Sequence, residues 1–222
     1  VLFVSHNMGA VGGLCTRGIW IDSGRVIINA DTEAAMFHYL DSILKKGFQA
    51  SAHNTNSDEQ LQLKQAILKN SKGIPSTQFA PGDSLTVEIH YYAPCRFNGP
   101  NFRISIVGQS RSLFAASMLL DGYRPDYIEG DEVLSCTFRY LPLVPQTYTV
   151  GMGVRAQDGI THLAPTQEAS FFGIVGHMEE FGFQGELADA LSWESAPMVL
   201  PYEWRLPDGQ IISLDGFRVK GG

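Results

Sequence analysis

The chain has 222 residues, 44% of them hydrophobic and 18% charged, with a net charge of −7. Its apolar runs fall well short of the ~20 residues that a membrane-crossing helix needs, and no basic stretch leading into an apolar one marks a secretory leader. With 16 Lys and Arg against 23 Asp and Glu, and no basic cluster, the composition argues against nucleic acid as a partner and against docking on anionic lipid.

Cys15, Cys95 and Cys136 have neither CxxC nor Cys/His zinc spacing, so they are expected to be reduced, buried thiols in a cytoplasmic protein. No metal site is expected, because His90, His162 and His177 have no Cys, His or Asp partners at ligand spacing.

In chain order, Val1-Leu2-Phe3-Val4 is a continuous apolar run, which reads as a strand buried on both faces of an α/β sheet. A chain that opens inside a core strand is expected to lack the front of a larger protein. Ser5-His6-Asn7 ends the strand, and Met8 to Arg17 can form a helix weakened by Gly9, Gly12 and Gly13. Ile19-Trp20-Ile21, a turn at Asp22-Ser23-Gly24-Arg25, and Val26-Ile27-Ile28 predict a hairpin. Asp31 or Thr32 caps the next helix, which places Met36, Leu40, Ile43 and Leu44 on one face and ends near Lys46.

Residues 1–46 therefore read as one α/β unit, and the Gln/Asn/Ser-rich residues 47–62 as a linker. From residue 63 to 222 the pattern is of period-two strands parted by turn residues. Leu85, Val87, Ile89 and Tyr91 alternate with polar neighbours, as do Phe102, Ile104 and Ile106. The same holds for Leu134, Cys136, Phe138 and Tyr140, and for Tyr148, Val150, Met152 and Val154. Phe171 to Val175 and Ile211 to Leu214 are further strands. Pro81-Gly82-Asp83, Asn98-Gly99-Pro100, Glu129-Gly130-Asp131 and Asp158-Gly159 supply turns. Short strands with one buried face each predict a mainly β fold, an antiparallel sandwich.

The order of the first 46 residues resembles the C-terminal part of ABC transporter ATPase domains: Val-Leu-Phe-Val-Ser-His-Asn-Met, a helix with Leu14-Cys15-Thr16-Arg17, a hairpin with Gly24-Arg25-Val26, and an acidic-capped helix with Phe37 and Tyr39-Leu40. The resemblance implies that His6 is the family's switch histidine, whose imidazole contacts the γ-phosphate and the attacking water across a dimer of ATPase domains. A His at the C-terminal edge of a strand is placed to reach a phosphate in the crevice of an open α/β sheet. The sequence has no Gly-x4-Gly-Lys-Ser/Thr phosphate loop, no LSGGQ-type signature and no apolar strand ending in Asp-Glu. This polypeptide is therefore expected to hold no cofactor and to hydrolyse nothing, with ATP and Mg²⁺ belonging to the full-length subunit.

In the second segment, Phe79-Ala80-Pro81-Gly82-Asp83-Ser84-Leu85-Thr86-Val87, then Leu141 to Val150 (with Gln146 where a turn Gly is usual), then Pro201-Tyr202-Glu203-Trp204 follow in an order that resembles the C-terminal domain of Wzt-type polysaccharide-exporting ABC subunits. The resemblance implies an immunoglobulin-like sandwich that recognises the non-reducing end of a lipid-linked glycan such as an O antigen. It also implies homodimers, some of them built by exchange of a C-terminal strand, for which Ile211 to Val219 is the candidate and an ordinary edge strand the alternative. The implied partners are polysaccharide and a membrane-spanning permease, with the subunit cytoplasmic and peripheral to the inner membrane.

Sugars are held by flat aromatic faces and planar polar groups. Outward positions Gly151, Gly153 and Arg155 on one strand, with Arg103 and Ser105 beside them, are candidates for the sugar site. Asp121, Tyr123 and Tyr127 on the loop from Leu119 are further candidates, since loops on a rigid sandwich carry function. The alternative reading gives the glycines to a bulge or a dimer contact and the tyrosines to core edges. Trp193 and Trp204 read as core packing or dimer contacts. No catalytic residue is expected: a glycosidase needs two carboxylates facing one cleft, and the acidic pairs Asp131-Glu132 and Glu179-Glu180 fall at turns or loops. A dimerisation or regulatory module without a glycan ligand is the remaining alternative.

Overall fold

The computed structural model describes residues 1–4, 11, 15–32, 34–36, 38–39, 42, 60–108, 111–186, 188 and 197–214. His6, Trp193 and most of the 47–62 segment lie outside these residues. No helix among the described residues is long and apolar enough to cross a membrane.

The first element is a hairpin of β1 (Arg17–Asp22) and β2 (Arg25–Asp31), antiparallel, with Trp20 opposite Ile28. Its two-residue turn puts both Ser23 (φ 50°) and Gly24 (φ 78°) in the left-handed region, the geometry that matches strand twist. Asp31 caps the following helix, its Oδ1 accepting from the Ala34 N–H at 2.8 Å. That helix lies on the hairpin: Trp20 and Tyr39 meet edge to face at 6.1 Å. Gly18 has no room for a side chain there, since a Cβ would sit 2.5 Å from that of Ala35.

Val1–Val4, expected as a buried strand, are exposed and form no strand. A strand buried on both faces needs neighbouring strands and covering helices, and the described residues provide none beside it. The helix expected from Met8 to Arg17 falls mostly outside the described residues, and Arg17 itself opens β1.

The sandwich starts at β3 (Gln62–Lys69). Then follow β4 (Gln78–Phe79), β5 (Leu85–Asn98), β6 (Asn101–Gly108), β7 (Arg111–Ser117), β8 (Tyr127–Phe138), β9 (Thr147–Arg155) and β10 (His162–Ile174). One sheet has the order β3-β5-β8 and the other β4-β10-β9-β6-β7, all antiparallel except the short β4–β10 pair.

The alternation read from the sequence sets the two inner faces. Leu85, Val87, Ile89 and Tyr91 from the first sheet share one buried cluster with Phe102, Ile104, Ile106, Tyr148, Val150, Met152 and Val154 from the second. Each such burial contributes about 1.5–3 kcal/mol. Rings tie the layers at specific points. Tyr91 meets Phe102 at 5.2 Å, while Phe172 is stacked on Tyr148 and edge-on to Phe79, each at 5.6 Å.

The segment Leu141 to Tyr148 is a structural device. Leu141, Leu143 and Val144 are fully buried. The Tyr148 hydroxyl donates back to the Val144 carbonyl at 2.9 Å, as in the tyrosine corner of Greek-key sandwiches. Burial pushes this phenol's pKa well above its ordinary value. Val144 also seeds a second small core with Met178, Phe181 and Val199.

Five sequence expectations change. Glu129-Gly130-Asp131 is not a turn but lies within β8, where Gly130 (φ 80°) faces Ala93 and the register slips before Phe97. Pro94 stands in that gap, and without an N–H it cannot continue the ladder. Tyr127 opens β8 instead of closing a loop. Tyr140 lies beyond the end of β8 and is exposed. Ile211–Leu214 joins neither sheet of the sandwich. As β12 it pairs with β11 (Tyr202–Arg205) in a separate ribbon, Trp204 opposite Ile212. Trp204 is 63% exposed there, so it is not core packing.

Candidate functional site

Antiparallel pairing carries three connections to the same end of the sandwich. Residues 99–100 join β5 to β6, residues 118–126 join β7 to β8, and residues 156–161 join β9 to β10. The 118–126 connection begins as one helical turn, Met118–Asp121, closed by Gly122 in the left-handed region (φ 76°). The 156–161 turn is held by Asp158, whose carboxylate accepts from the Ile160 N–H at 2.8 Å, the Thr161 N–H at 2.9 Å and the Thr161 hydroxyl at 2.6 Å. Those bonds, the hydroxyl first, hold the Asp158 carboxyl below its ordinary pKa.

Asn101 ties the three connections together. It is only 3% exposed. Its Nδ2 donates to the Ala156 carbonyl at 2.9 Å and to the Gly99 carbonyl at 3.4 Å, and its Oδ1 accepts from Arg124 Nη1 at 3.3 Å. Two further contacts close the ring: the Gly99 N–H donates to the Asp126 carbonyl at 2.8 Å, and Leu119 packs so closely on Gly159 that a Cβ there would lie 2.9 Å from its Cδ1.

The candidate residues fall around this hub. Asp121 and Tyr123 stand on the 118–126 connection, and Tyr123 is 83% exposed. Arg155 ends β9 directly opposite Asn101 and donates through Nη1 to the Gly159 carbonyl at 2.9 Å. Arg103, one step along the same face of β6, is opposite Gly153. Tyr127 is on the other sheet at the same end, opposite Asn98, with the Arg96 guanidinium 3.7 Å from its ring centroid.

Ser105 and Gly151 lie deeper in the sheet, opposite one another. The space above the two glycines is filled by the chain itself. A Cβ on Gly151 would meet Ser105 Oγ at 2.8 Å, and one on Gly153 would meet Thr166 Oγ1 at 2.8 Å. Thr166 is carried there by β10, whose register shifts between Ala164 and Gln167. Gly153 thus faces the irregular part of β10, and Gly151 the Ser105 side chain on β6.

Sequence reasoning passed over a second polar surface, the outer face of the three-stranded sheet. There Lys69 and His90 both bind the Glu88 carboxylate, His90 Nε2 at 3.0 Å. The Lys69 hydrogen bond, then that of His90, holds the Glu88 carboxyl below its ordinary pKa. Lys64 pairs with Asp131 and stands 5.0 Å from the Tyr92 ring centroid. The signal was present in the outward positions Glu88, His90 and Tyr92, which alternate with the core residues. These side chains satisfy one another, so the face is a paired platform. A shallow groove of about 350 Å³ opens elsewhere, between Phe114, Phe138, Tyr140, Pro142 and Met198.

The family model described as the Wzt C-terminal domain matches residues 52–185. Among solved structures, the chain is similar to a crystal structure of the C-terminal domain of wzt, at 12% identity and a TM-score of 0.43, over 54% of this chain and 75% of that one. It is also similar to a β-glucuronidase from Parabacteroides merdae (17% identity, TM-score 0.36, 53% of this chain and 14% of that one). A β-D-mannosidase from Dictyoglomus thermophilum is a third (14% identity, TM-score 0.37, 52% and 13%). No curated protein matches the chain.

Proposed function

The chain belongs to the Wzt C-terminal domain family, and from that premise we propose that its sandwich recognises the non-reducing end of a lipid-linked, O-antigen-like surface polysaccharide for export by an ABC transporter. The observation that supports this reading is the pairing of Arg103 and Arg155 on one face of β6 and β9 beside Asn101, with the connection that bears Tyr123 bonded to the same Asn101 through Arg124 and Tyr127 at the same end on the other sheet. A pyranose offers C–H faces to aromatic rings and a fan of hydroxyls to guanidinium donors. The base of the site is rigid and its rim is made of exposed connections, the arrangement by which sandwiches carry binding functions.

In the same proposal the full-length subunit is cytoplasmic, lies against the inner membrane through a membrane-spanning permease, and carries ATP and Mg²⁺ on an ATPase domain of which residues 1–46 are the tail, with His6 as the switch histidine. The chain in hand binds and does not turn over substrate.

The test is calorimetric titration of the 222-residue chain with the source organism's own surface polysaccharide, intact and with its non-reducing terminus trimmed. Binding of the intact form alone supports the reading. Equal binding of both forms, or of neither, refutes it.

A second reading, a homodimerisation or regulatory module without a glycan ligand, is favoured by the β11–β12 ribbon. Tyr202, Trp204, Ile211 and Ile212 are all exposed there.

A further inference from the structure

In a chain of net charge −7, three arginines surround one buried amide. Arg124 is hydrogen-bonded to Asn101 at 3.3 Å, Arg155 is its cross-strand partner, and Arg103 is the next residue on the same face of β6. Neighbours of this kind stand about 5–8 Å apart at the backbone, within mutual reach of long side chains. His162 lies on the far side of Arg155, across the β9–β10 ladder.

Among the described residues, none of Arg103, Arg124 and Arg155 forms an ion pair, whereas Lys64 and Lys69 on the opposite sheet both do. Arg124 spends one N–H on Asn101 and Arg155 one on Gly159. The remaining N–H groups of these planar forks are available. Acidic residues are near in sequence, yet none of them is within ion-pair distance of these guanidinium groups among the described residues. Asp158 is committed to its own turn.

Like charges held together without counter-ions cost stability unless a partner of opposite sign completes them. Guanidinium forks match the two oxygens of a carboxylate or phosphoryl group, which neutral hydroxyls do not.

We propose that the sugar held at this end of the sandwich carries an anionic oxygen substituent, seated between Arg103 and Arg155 beside Asn101. This rests on the glycan reading above and narrows it to acidic or phosphorylated sugars.

The experiment uses the ¹⁵N-labelled full chain, observed by backbone and arginine Nε–H spectra, with glucuronate, glucose 6-phosphate, glucose and inorganic phosphate as probes. Glucuronate or glucose 6-phosphate is expected to shift Arg103, Arg155 and the Asn101 amide, with glucose at least about tenfold weaker, as loss of a charge-assisted hydrogen bond implies. Whichever anionic sugar binds identifies carboxylate or phosphoryl as the group. R103Q and R155Q should each weaken that binding about tenfold, while R103K, which keeps the charge, should retain more of it than R103Q. Thermal melts of each variant separate lost binding from lost folding.

The proposal is overturned if glucose binds as well as the anionic sugars, if inorganic phosphate alone binds as tightly as they do, if the shifts map elsewhere, or if well-folded R103Q and R155Q bind unchanged. Binding of neutral glycans at this end would remove the anionic inference and leave the glycan reading standing. Failure of the authentic polysaccharide to bind at all would remove both.

Discussion

The hydroxyl of Tyr148 and the carbonyl of Val144 are joined at 2.9 Å inside the sandwich, and the same hydroxyl reaches the Pro197 carbonyl at 3.1 Å. One side chain thereby fixes the entry to β9 and pins the segment leading to the β11–β12 ribbon. Tyr148→Phe removes the hydroxyl donor from the Val144 carbonyl, while the Pro197 carbonyl keeps the Val144 N–H at 3.2 Å. It should cost about 1–3 kcal/mol, read as a lower midpoint in urea with an unchanged slope. A midpoint equal to that of wild type would show that the corner contributes nothing.

Gly151 and Gly153 test the tight contacts beneath the site. Gly151→Ala should destabilise by about 1–3 kcal/mol through overpacking against Ser105 Oγ. Removing that oxygen with Ser105→Ala in the same chain should recover most of the loss, a coupling that a double-mutant cycle reads directly. Gly153→Ala should be harder to rescue, because its Cβ also meets the Thr166 Cα at 3.0 Å, which no side-chain change removes.

Glu88 predicts an acid-side pH dependence. Its carboxyl titrates below the ordinary value in the folded chain because of Lys69 and then His90. A depressed folded pKa contributes stability above the unfolded pKa, and that contribution is lost as pH falls through the folded value. Glu88→Gln should therefore melt below wild type at pH 7, and the two should converge as pH falls below the ordinary glutamate range. Curves that stay parallel across that range would mean the carboxylate is not coupled to folding.

Tyr123 separates binding from stability. Being 83% exposed, it should be replaceable by Ala without change in melting temperature. Affinity for the authentic polysaccharide should fall about two- to tenfold, the worth of one aromatic face. Unchanged affinity would take this tyrosine out of the site.

For the ribbon, Trp204→Ser with Ile212→Ser should lower self-association in sedimentation experiments while the sandwich melts as before. Association at wild-type strength would show that the homodimer, if formed, uses another surface.

The strands legible in the sequence are those whose alternation matches burial on one face. β5 is the clearest, with Leu85, Val87, Ile89 and Tyr91 all buried between polar neighbours. Ile211–Leu214 misled because a short apolar run does not say which partner it pairs with. Glu129-Gly130-Asp131 misled because glycine in the left-handed region serves a bulge as well as a turn. The gathering of Tyr123, Arg155 and Arg103 at one end follows from strand order, which neither composition nor spacing reveals. Asn101 was not singled out, since its partners Ala156 and Arg124 lie 55 and 23 residues away. An unremarkable Asn after a Gly-Pro turn announces none of this.

The anchoring of three connections to a single amide has an evolutionary consequence. Asn101 holds the loops at their bases, through the Gly99 and Ala156 carbonyls and the Arg124 guanidinium, and leaves Tyr123 and Ile160 at their tips unconstrained. Tip residues are then free to vary without unseating the scaffold. Replacement of Asn101, by contrast, would remove three hydrogen bonds that join these connections.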